Sequence, residues 1–374
     1  MEIELNSMRK EDEVSLVLGN LFESYGYKKY LMSRFEEYSL YMENKDFLIS
    51  DKIITFTDAG GKLMALKPDV TLSIVKNAKA EKGVRKLYYI ENVYRPARNL
   101  PEFRESEQIG LEAIGDIDGY TVYEVTRLAL NALAAVDKDF ILDISHVGFV
   151  SALIEGLGLD YEANEEIYGY VTGKNLHGLK AASARLGISE EAFSALETLT
   201  SVSGTLSDGI EKARKAVMNE GMRIALDELA TLDKALRSTE YYDNVRLDFS
   251  FVNDIGYYNG IIFTGFTPAV PRPVLSGGRY DKLMKKFAKD AGAIGFAVYV
   301  DEIVSYYSRK AEFDQDVFVE YAAGADIAAV AAVADKLRAE GKSVSVGSAP
   351  LADGKYRKIM RFDGEKLTEV KDNA

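Results

Sequence analysis

Residues 85–114 read RKLYYIENVYRPARNLPEFRESEQIGLEAI. Two strand-like runs, Arg85–Tyr94 and Glu107–Ile114, flank a loop from Arg95 to Phe103 that carries Arg98, with Arg104 just after it. On the second run the two-residue period of a strand places Ser106, Gln108, Gly110 and Glu112 on one face, and Ile109, Leu111 and Ala113 on the other. A polar face on a central strand costs desolvation unless it is satisfied. It is therefore either a solvated outer face or the floor of a polar pocket, and the strand alone leaves both readings open. Arg95, at a strand end beside a loop, has the chemistry for a phosphate or carboxylate. Ion pairing with surface acids is the plainer reading of each such arginine taken singly.

Outward from this hairpin the pattern continues as strands joined by turns. Lys52–Thr57 runs into Asp58-Ala59-Gly60-Gly61, a hairpin turn, and Lys62–Leu66 returns. The N-terminal stretch 8–26 carries apolar positions near helical spacing (Val14, Leu16, Val17, Leu18, Leu21, Phe22) and ends at Gly26. Helices are expected over Asp69–Lys79 and Gly119–Ala135, and a strand over Phe140–Asp143. The segment from about 149 to 240 reads as helices only, an insertion into the sheet. Strand patterns resume at Asn244–Phe251 and Gly256–Thr264, and Gly292–Val300 reads as a buried strand feeding a helix. After Arg309 a short unit shows strand Val317–Tyr321, helix Ile327–Glu340 and strand Ser343–Val346, then a weakly patterned tail. The expected class is α+β: an antiparallel sheet flanked by helices. The expected domains are a core over 1–311 that includes the helical insertion, and a short C-terminal α/β unit over 312–374.

The chain has 374 residues, no cysteine, two histidines and a net charge of −13. Disulfides, thiolate metal sites and cysteine nucleophiles are excluded. His146 and His177 lie far apart, which argues against a histidine metal site or a Ser-His-Asp triad. No metal or other cofactor is expected, and His146 reads as a hydrogen-bonded structural histidine. The acidic balance argues against a nucleic-acid partner. No apolar run has the length of a membrane span, and the acidic N-terminus lacks the layout of a signal peptide, so the chain reads as cytoplasmic. The tyrosines at 88, 89, 94, 241 and 242 read as strand and core aromatics.

Three further stretches stand out. Asn253-Asp254-Ile255-Gly256-Tyr257-Tyr258-Asn259-Gly260 joins paired tyrosines to glycines. Ser276-Gly277-Gly278-Arg279-Tyr280-Asp281 has paired glycines that suit close approach to a ligand or a plain turn. Gly295-Phe296-Ala297 leads toward Asp301-Glu302. Each is weak alone, but their order and spacing are specific. From about Leu16 to Ile303 the set resembles the catalytic core of histidyl-tRNA synthetases, a class II aminoacyl-tRNA synthetase fold. Phe35–Tyr41 and Thr55–Asp58 resemble the N-terminal part. Leu66-Lys67-Pro68-Asp69-Val70-Thr71 is similar to the family's amino-acid-holding segment. Asn92–Arg95 through Phe103–Glu112 resembles motif 2, and Gly295-Phe296-Ala297 opens the equivalent of motif 3. Tyr257-Tyr258-Asn259 and Gly277–Asp281 resemble the two histidine-specific signatures.

The resemblance implies a histidine pocket lined by Asp69, Thr71, Gln108, Glu112, Tyr257, Tyr258 and Tyr280, with Arg95 at the position that grips the α-phosphate of ATP. Carboxylates and Gln suit an α-ammonium and imidazole N–H groups, and tyrosines suit the ring. Two positions depart from the pattern. The family's catalytic arginine aligns with Asn253, and the motif 3 arginine aligns with Glu302. An amide and an acid supply neither the charge nor the bidentate fork of a guanidinium. A pairing of Glu302 with Arg95 across the vacated nucleotide site is one expectation. The combination, with a C-terminal unit too short for an anticodon-binding domain, resembles the ATP phosphoribosyltransferase regulatory subunits. That likeness implies a non-catalytic protein that acts with a short catalytic subunit in the first step of histidine biosynthesis, takes histidine as effector, and forms a homodimer within a hetero-oligomer. The alternatives are a divergent active synthetase, with Arg279 or Arg98 replacing the missing cations, and a tRNA-binding signalling module.

Overall fold

The computed structural model describes residues 9–48, 50, 52–79, 82–97, 102–252, 257–307 and 313–373. The chain forms two compact units, Met1–Ser308 and Arg309–Ala374.

In the first unit, α1 (Lys10–Ser24) precedes β1 (Lys28–Lys29), β2 (Phe35–Glu37), α2 (Tyr38–Met42), β3 (Thr55–Thr57), β4 (Leu63–Leu66) and α3 (Thr71–Asn77). The hairpin expected between β3 and β4 is present. The Asp58 side chain accepts the Gly60 and Lys62 N–H groups at 2.8 Å, and Gly61 takes φ +82°, a left-handed conformation that glycine adopts without a Cβ clash. The deciding segment forms a long antiparallel hairpin, β5 (Val84–Pro96) and β6 (Phe103–Gly115), in register from Val84↔Gly115 to Pro96↔Phe103. Both strands run further than the sequence pattern indicated, because cross-strand pairing carries them past the last alternating apolar residue. Helix α4 (Gly119–Val136) follows, its first turn capped by Asp118, which accepts the Thr121 N–H at 2.8 Å. Its buried stripe Val125, Leu128, Ala129 and Leu133 packs on the sheet.

Strand β7 (Ile141–His146) leads into six consecutive helices: α5 (Val147–Gly156), α6 (Tyr161–Thr172), α7 (Leu176–Leu186), α8 (Glu190–Ser201), α9 (Leu206–Arg214) and α10 (Glu220–Leu236). Asp160, Asn175, Ser189, Thr205 and Asn219 each accept an amide of the following first turn, which explains why short helices separate so cleanly here. Met222, Leu226, Leu229 and Leu236 of α10 belong to the same apolar cluster as the sheet residues Ile144 and Phe263, so the inserted helices share the main core. After them come β8 (Val245–Leu247), β9 (Ile261–Phe266), β10 (Leu275–Arg279), α11 (Asp281–Lys286), β11 (Gly292–Tyr299) and α12 (Val300–Tyr307).

The main sheet has the order β1-β5-β6-β11-β10-β9-β7-β8. Its middle is antiparallel as expected, whereas both edge pairs, β1/β5 and β7/β8, are parallel. Those edge contacts are only two and three residue pairs long, too short for a sequence period to announce them. A smaller sheet has the order β2-β4-β3. Ser276-Gly277-Gly278-Arg279 is not a turn but lies in β10. A Cβ on Gly277 would fall 2.3 Å from the Gly295 carbonyl oxygen, so tight strand packing accounts for that glycine.

The second unit contains β12 (Gln315–Tyr321), α13 (Ile327–Ala339), β13 (Val344–Gly347), β14 (Tyr356–Phe362) and β15 (Leu367–Asp372), with sheet order β13-β12-β14-β15. Val317, Val319, Val330, Leu337 and Phe362 form its core. The tail that lacked a pattern is thus two strands. β14 is buried mainly at its two ends, Tyr356 and Phe362, and β15 is an exposed, charge-bearing edge; edge strands carry such charges and lose the apolar alternation.

Candidate functional site

The register of the main sheet builds the site. Glu112 on β6 stands opposite Gly295 on β11, Gly110 opposite Ala297, and Gln108 opposite Tyr299. Period-two alternation therefore gathers these six positions on one sheet face. Asp69, Thr71, Tyr257, Tyr258 and Tyr280 join that face, and with Arg95 they enclose a cavity of about 360 Å³. All eight pocket residues named from the resemblance line this single cavity. The two open readings of the β6 polar face are thereby resolved: Gln108 and Glu112 are 4% and 2% exposed, the floor of a pocket.

Glu112 is the anchor. The Thr71 hydroxyl donates to its Oε1 at 2.9 Å, and the Tyr280 hydroxyl donates to its Oε2. Burial pushes the Glu112 carboxyl up to about 8, a shift these two hydrogen bonds only partly oppose. Room for the carboxylate depends on Gly295, because a Cβ there would lie 1.8 Å from Glu112 Oε2. Asp69 sits just before α3, where its Oδ1 accepts the Leu72 N–H at 2.9 Å. Loss of solvent raises its pKa, and the Arg95 guanidinium, 3.6 Å away, works against that rise. Arg95 Nε donates to the Pro68 carbonyl oxygen at 2.6 Å.

Aromatic rings close the other side. Tyr257 packs on Tyr258 with centroids 4.5 Å apart, on Tyr280 at 5.7 Å and on Phe47 at 5.7 Å. Burial raises the hydroxyl pKa of Tyr257 and Tyr280 well above the ordinary value, so both remain hydrogen-bond donors at neutral pH. Buried acceptors on the floor, one carboxylate near the rim and an aromatic wall suit a small ligand that combines an N–H-bearing ring with an ammonium group.

The side toward α12 is different. Glu302 accepts a hydrogen bond from Arg272 Nη1 at 2.8 Å. The expected pairing of Glu302 with Arg95 is therefore corrected: Arg95 turns instead toward Pro68 and Asp69, and Arg272, from the segment before β10, meets the first turn of α12. Asp301 Oδ1 accepts the Glu107 N–H at 3.4 Å. Glu107, partly withdrawn from water and close to Asp301, has a raised pKa. Asn253, the other departing position, and Arg98 lie outside the described residues. Arg279, the second candidate replacement cation, is engaged with Asp281 at 2.8 Å.

Residues not singled out for the site also line it: Phe47, Tyr89, Ser276, Ala297 and Tyr299. Tyr89 lies on β5 and in the core, in line with its reading as a strand and core aromatic, and it also lines the cavity. Its register partner is Gly110, and that pairing, once known, puts it on the Gln108 face. His146 Nε2 donates to Glu228 Oε2 at 3.0 Å, a hydrogen-bonded histidine outside the cavity lining. A second cavity of about 380 Å³ has Arg223, Asp227, Glu228 and Arg279 in its lining. These charges are satisfied locally, by Glu220 and Asp227 for Arg223, by His146 for Glu228 and by Asp281 for Arg279. Among the described residues no group of three or more His, Asp or Glu is placed to hold a metal ion, and no helix is long and apolar enough to cross a membrane.

The histidyl-tRNA synthetase family model matches residues 2–303. The ATP phosphoribosyltransferase regulatory subunit of Symbiobacterium thermophilum is 30% identical over 349 residues, covering 89% of this chain and 86% of that one. A solved ATP phosphoribosyltransferase regulatory subunit/histidyl-tRNA synthetase from Bacillus halodurans is similar with a TM-score of 0.80 and 26% identity, over 95% of this chain and 94% of that one. A chain of an ATP phosphoribosyl transferase complex from Thermotoga maritima shares the fold at a TM-score of 0.62 and 17% identity, over 78% of this chain and 97% of that one. The chain belongs to the histidyl-tRNA synthetase family and, within it, to the ATP phosphoribosyltransferase regulatory subunits.

Proposed function

We propose that this regulatory subunit binds histidine in the 360 Å³ cavity and couples its occupancy to a short-form ATP phosphoribosyltransferase catalytic subunit, the enzyme that joins ATP to phosphoribosyl pyrophosphate. The observation that carries the reading is a contrast: the buried set Thr71–Glu112–Tyr280 is complete, while on the α12 side, outside the cavity lining, the first turn carries Asp301 and Glu302, the latter paired with Arg272. Asp69, Gln108 and Glu112 supply acceptors for an α-ammonium and for imidazole N–H groups, and Tyr257 and Tyr258 cover the ring. A triphosphate needs cations where charge develops. Acids at that side, with Asn253 at the other departing position, favour a subunit without aminoacylation chemistry of its own. The core 1–311, with its helical insertion, is the ligand-binding part, and 312–374 is a short accessory unit.

For feedback, histidine must bind one arrangement of the assembly more tightly than another, since only differential affinity shifts an equilibrium. A homodimer within the hetero-oligomer is supported by the exposed apolar residues Leu31, Phe35, Phe56 and Leu63 on and beside the small sheet. Phe35 and Phe56 meet edge to face at 5.4 Å there, and an exposed cluster of this kind marks an interaction surface. A subunit that serves this biosynthetic step would act in the cytoplasm.

Titration calorimetry of the isolated chain with histidine and, separately, with ATP tests the reading. Histidine is expected to bind and ATP is not. The chain should raise the turnover of a short catalytic subunit and show no histidine-dependent ATP–pyrophosphate exchange alone; robust exchange would overturn the proposal. Sedimentation of the isolated chain at twice its 41.4 kDa mass is expected for the dimer.

A further inference from the structure

The tyrosines that wall the cavity stand on two separate segments of the chain. Tyr257 and Tyr258 lie just before β9, and Tyr280 lies between β10 and α11. Each segment has a polar residue immediately after its tyrosine, Asn259 in one and Asp281 in the other, and these two side chains lock together. Asn259 Oδ1 accepts the Asp281 N–H at 2.7 Å, and Asn259 Nδ2 donates to Asp281 Oδ2 at 3.1 Å. The Asn259 N–H donates to the Arg279 carbonyl oxygen at 3.0 Å. Asp281 Oδ2 also accepts from Arg279 Nε at 2.8 Å, and its Oδ1 accepts the Ala293 N–H at 2.9 Å.

One carboxylate thus ties three segments: the paired-tyrosine loop, the end of β10 and the start of β11. The approach is tight: a Cβ on Gly260 would fall 3.0 Å from Arg279 Cδ. Neither Asn259 nor Asp281 lines the cavity. Any effect they have on a ligand must pass through the tyrosines beside them, because a backbone fixed at residue 259 fixes residues 257 and 258, and a backbone fixed at 281 fixes 280.

We propose that Asn259 and Asp281 form a positioning pair that sets the Tyr257–Tyr258–Tyr280 wall at the spacing the ligand ring requires. This rests on the histidine reading of the cavity for its ligand, but the geometry of the pair is independent of it. The two side chains have the same shape and opposite hydrogen-bonding roles, which provides a swap. Asn259→Asp sets two carboxylates face to face, and Asp281→Asn sets two amide groups face to face. The double variant N259D/D281N restores one acceptor against one donor between the pair, although the amide at 281 no longer accepts from Arg279 Nε, so the recovery is partial.

The test measures histidine binding by calorimetry and the tyrosine near-ultraviolet circular dichroism of the full-length chain. The protein has no tryptophan to obscure that signal. Each single variant is expected to weaken histidine binding about tenfold, as the loss of one charge-assisted hydrogen bond would, and to alter the tyrosine signal. The double variant should lose less affinity than the two single losses combined, and its tyrosine signal should move less than theirs summed, a non-additivity expected only of directly coupled residues. Single variants with wild-type affinity and wild-type tyrosine signal would overturn the proposal, as would a double variant whose loss equals the two single losses combined. Should the wild-type chain bind no histidine, the histidine reading fails, and the dichroism alone still decides the pair: altered in the singles and less than additive in the double supports it, and unchanged in the singles overturns it. If either single variant does not fold, Asn259→Ala, which removes the amide without adding charge, is expected to lose the same signal, and an unchanged signal in it counts against the pair.

Discussion

The floor of the cavity lies on β6 and β11, and α12 follows β11 directly, yet the cavity floor and the α12 side handle charge in opposite ways. On the floor, Glu112 is buried and receives two hydroxyl donors, with the space for it reserved by Gly295. At the α12 side, Glu302 is partly exposed and spends its charge on Arg272 of the same chain. A buried carboxylate with directed donors and no countercharge is costly to keep for stability alone; a half-exposed ion pair costs almost nothing and gains little. The contrast separates a region shaped to receive a ligand from one that has closed its charges on itself.

The largest effect on binding that tests this contrast is expected for Gly295→Val. With a Cβ only 1.8 Å from Glu112 Oε2, the substitution must displace the carboxylate. Histidine affinity is expected to fall about 100-fold or more, on the order of 3 kcal/mol, read by calorimetry; unchanged affinity would detach Glu112 from binding. Next is the pH dependence of stability. The Glu112 pKa rises from 4.5 unfolded to about 8 folded, so the folded chain holds the proton more tightly. That contribution is fully present at low pH and is lost as pH rises through the window from about 4.5 to about 8. Glu112→Gln should flatten the decline by up to ~4 kcal/mol, measured by urea unfolding at the two ends of the window. An identical slope in wild type and variant would show that the carboxylate is not buried in solution.

A smaller effect is expected for Tyr280→Phe. Removing one hydroxyl donor to Glu112 should weaken histidine binding by about 1–2 kcal/mol with the ring packing retained, and a loss confined to thermal stability would refute a binding role. The smallest is Arg272→Ala, which releases Glu302. A half-exposed pair is worth about 0–1 kcal/mol, so the melting temperature should shift by a few degrees at most and histidine affinity should hold within about twofold. A large loss of affinity there would erase the distinction between the two regions.

The eight pocket residues were legible because each sits in a short motif whose order along the chain is specific. Tyr89 was not, since its place at the cavity follows from pairing with Gly110, twenty-one positions away, and no local period reports a partner strand. The same limit hid the partner of Glu302: Arg272 lies outside every motif, and only folding brings its guanidinium to α12. It also hid β14 and β15, whose exposed edge carries charges in place of an apolar alternation.

What the residues determined unaided was the list of chemical groups and the alternation that forces them onto common faces, because side-chain period is a property of the backbone itself. Tertiary structure decided which of those groups meet. Burial, and with it the raised pKa of Glu112, the hydrogen bonds from Thr71 and Tyr280, and the turning of Glu302 to Arg272, depends on neighbours distant in the chain. Electrostatic cost is set by what surrounds a charge in space, and only the fold supplies those surroundings.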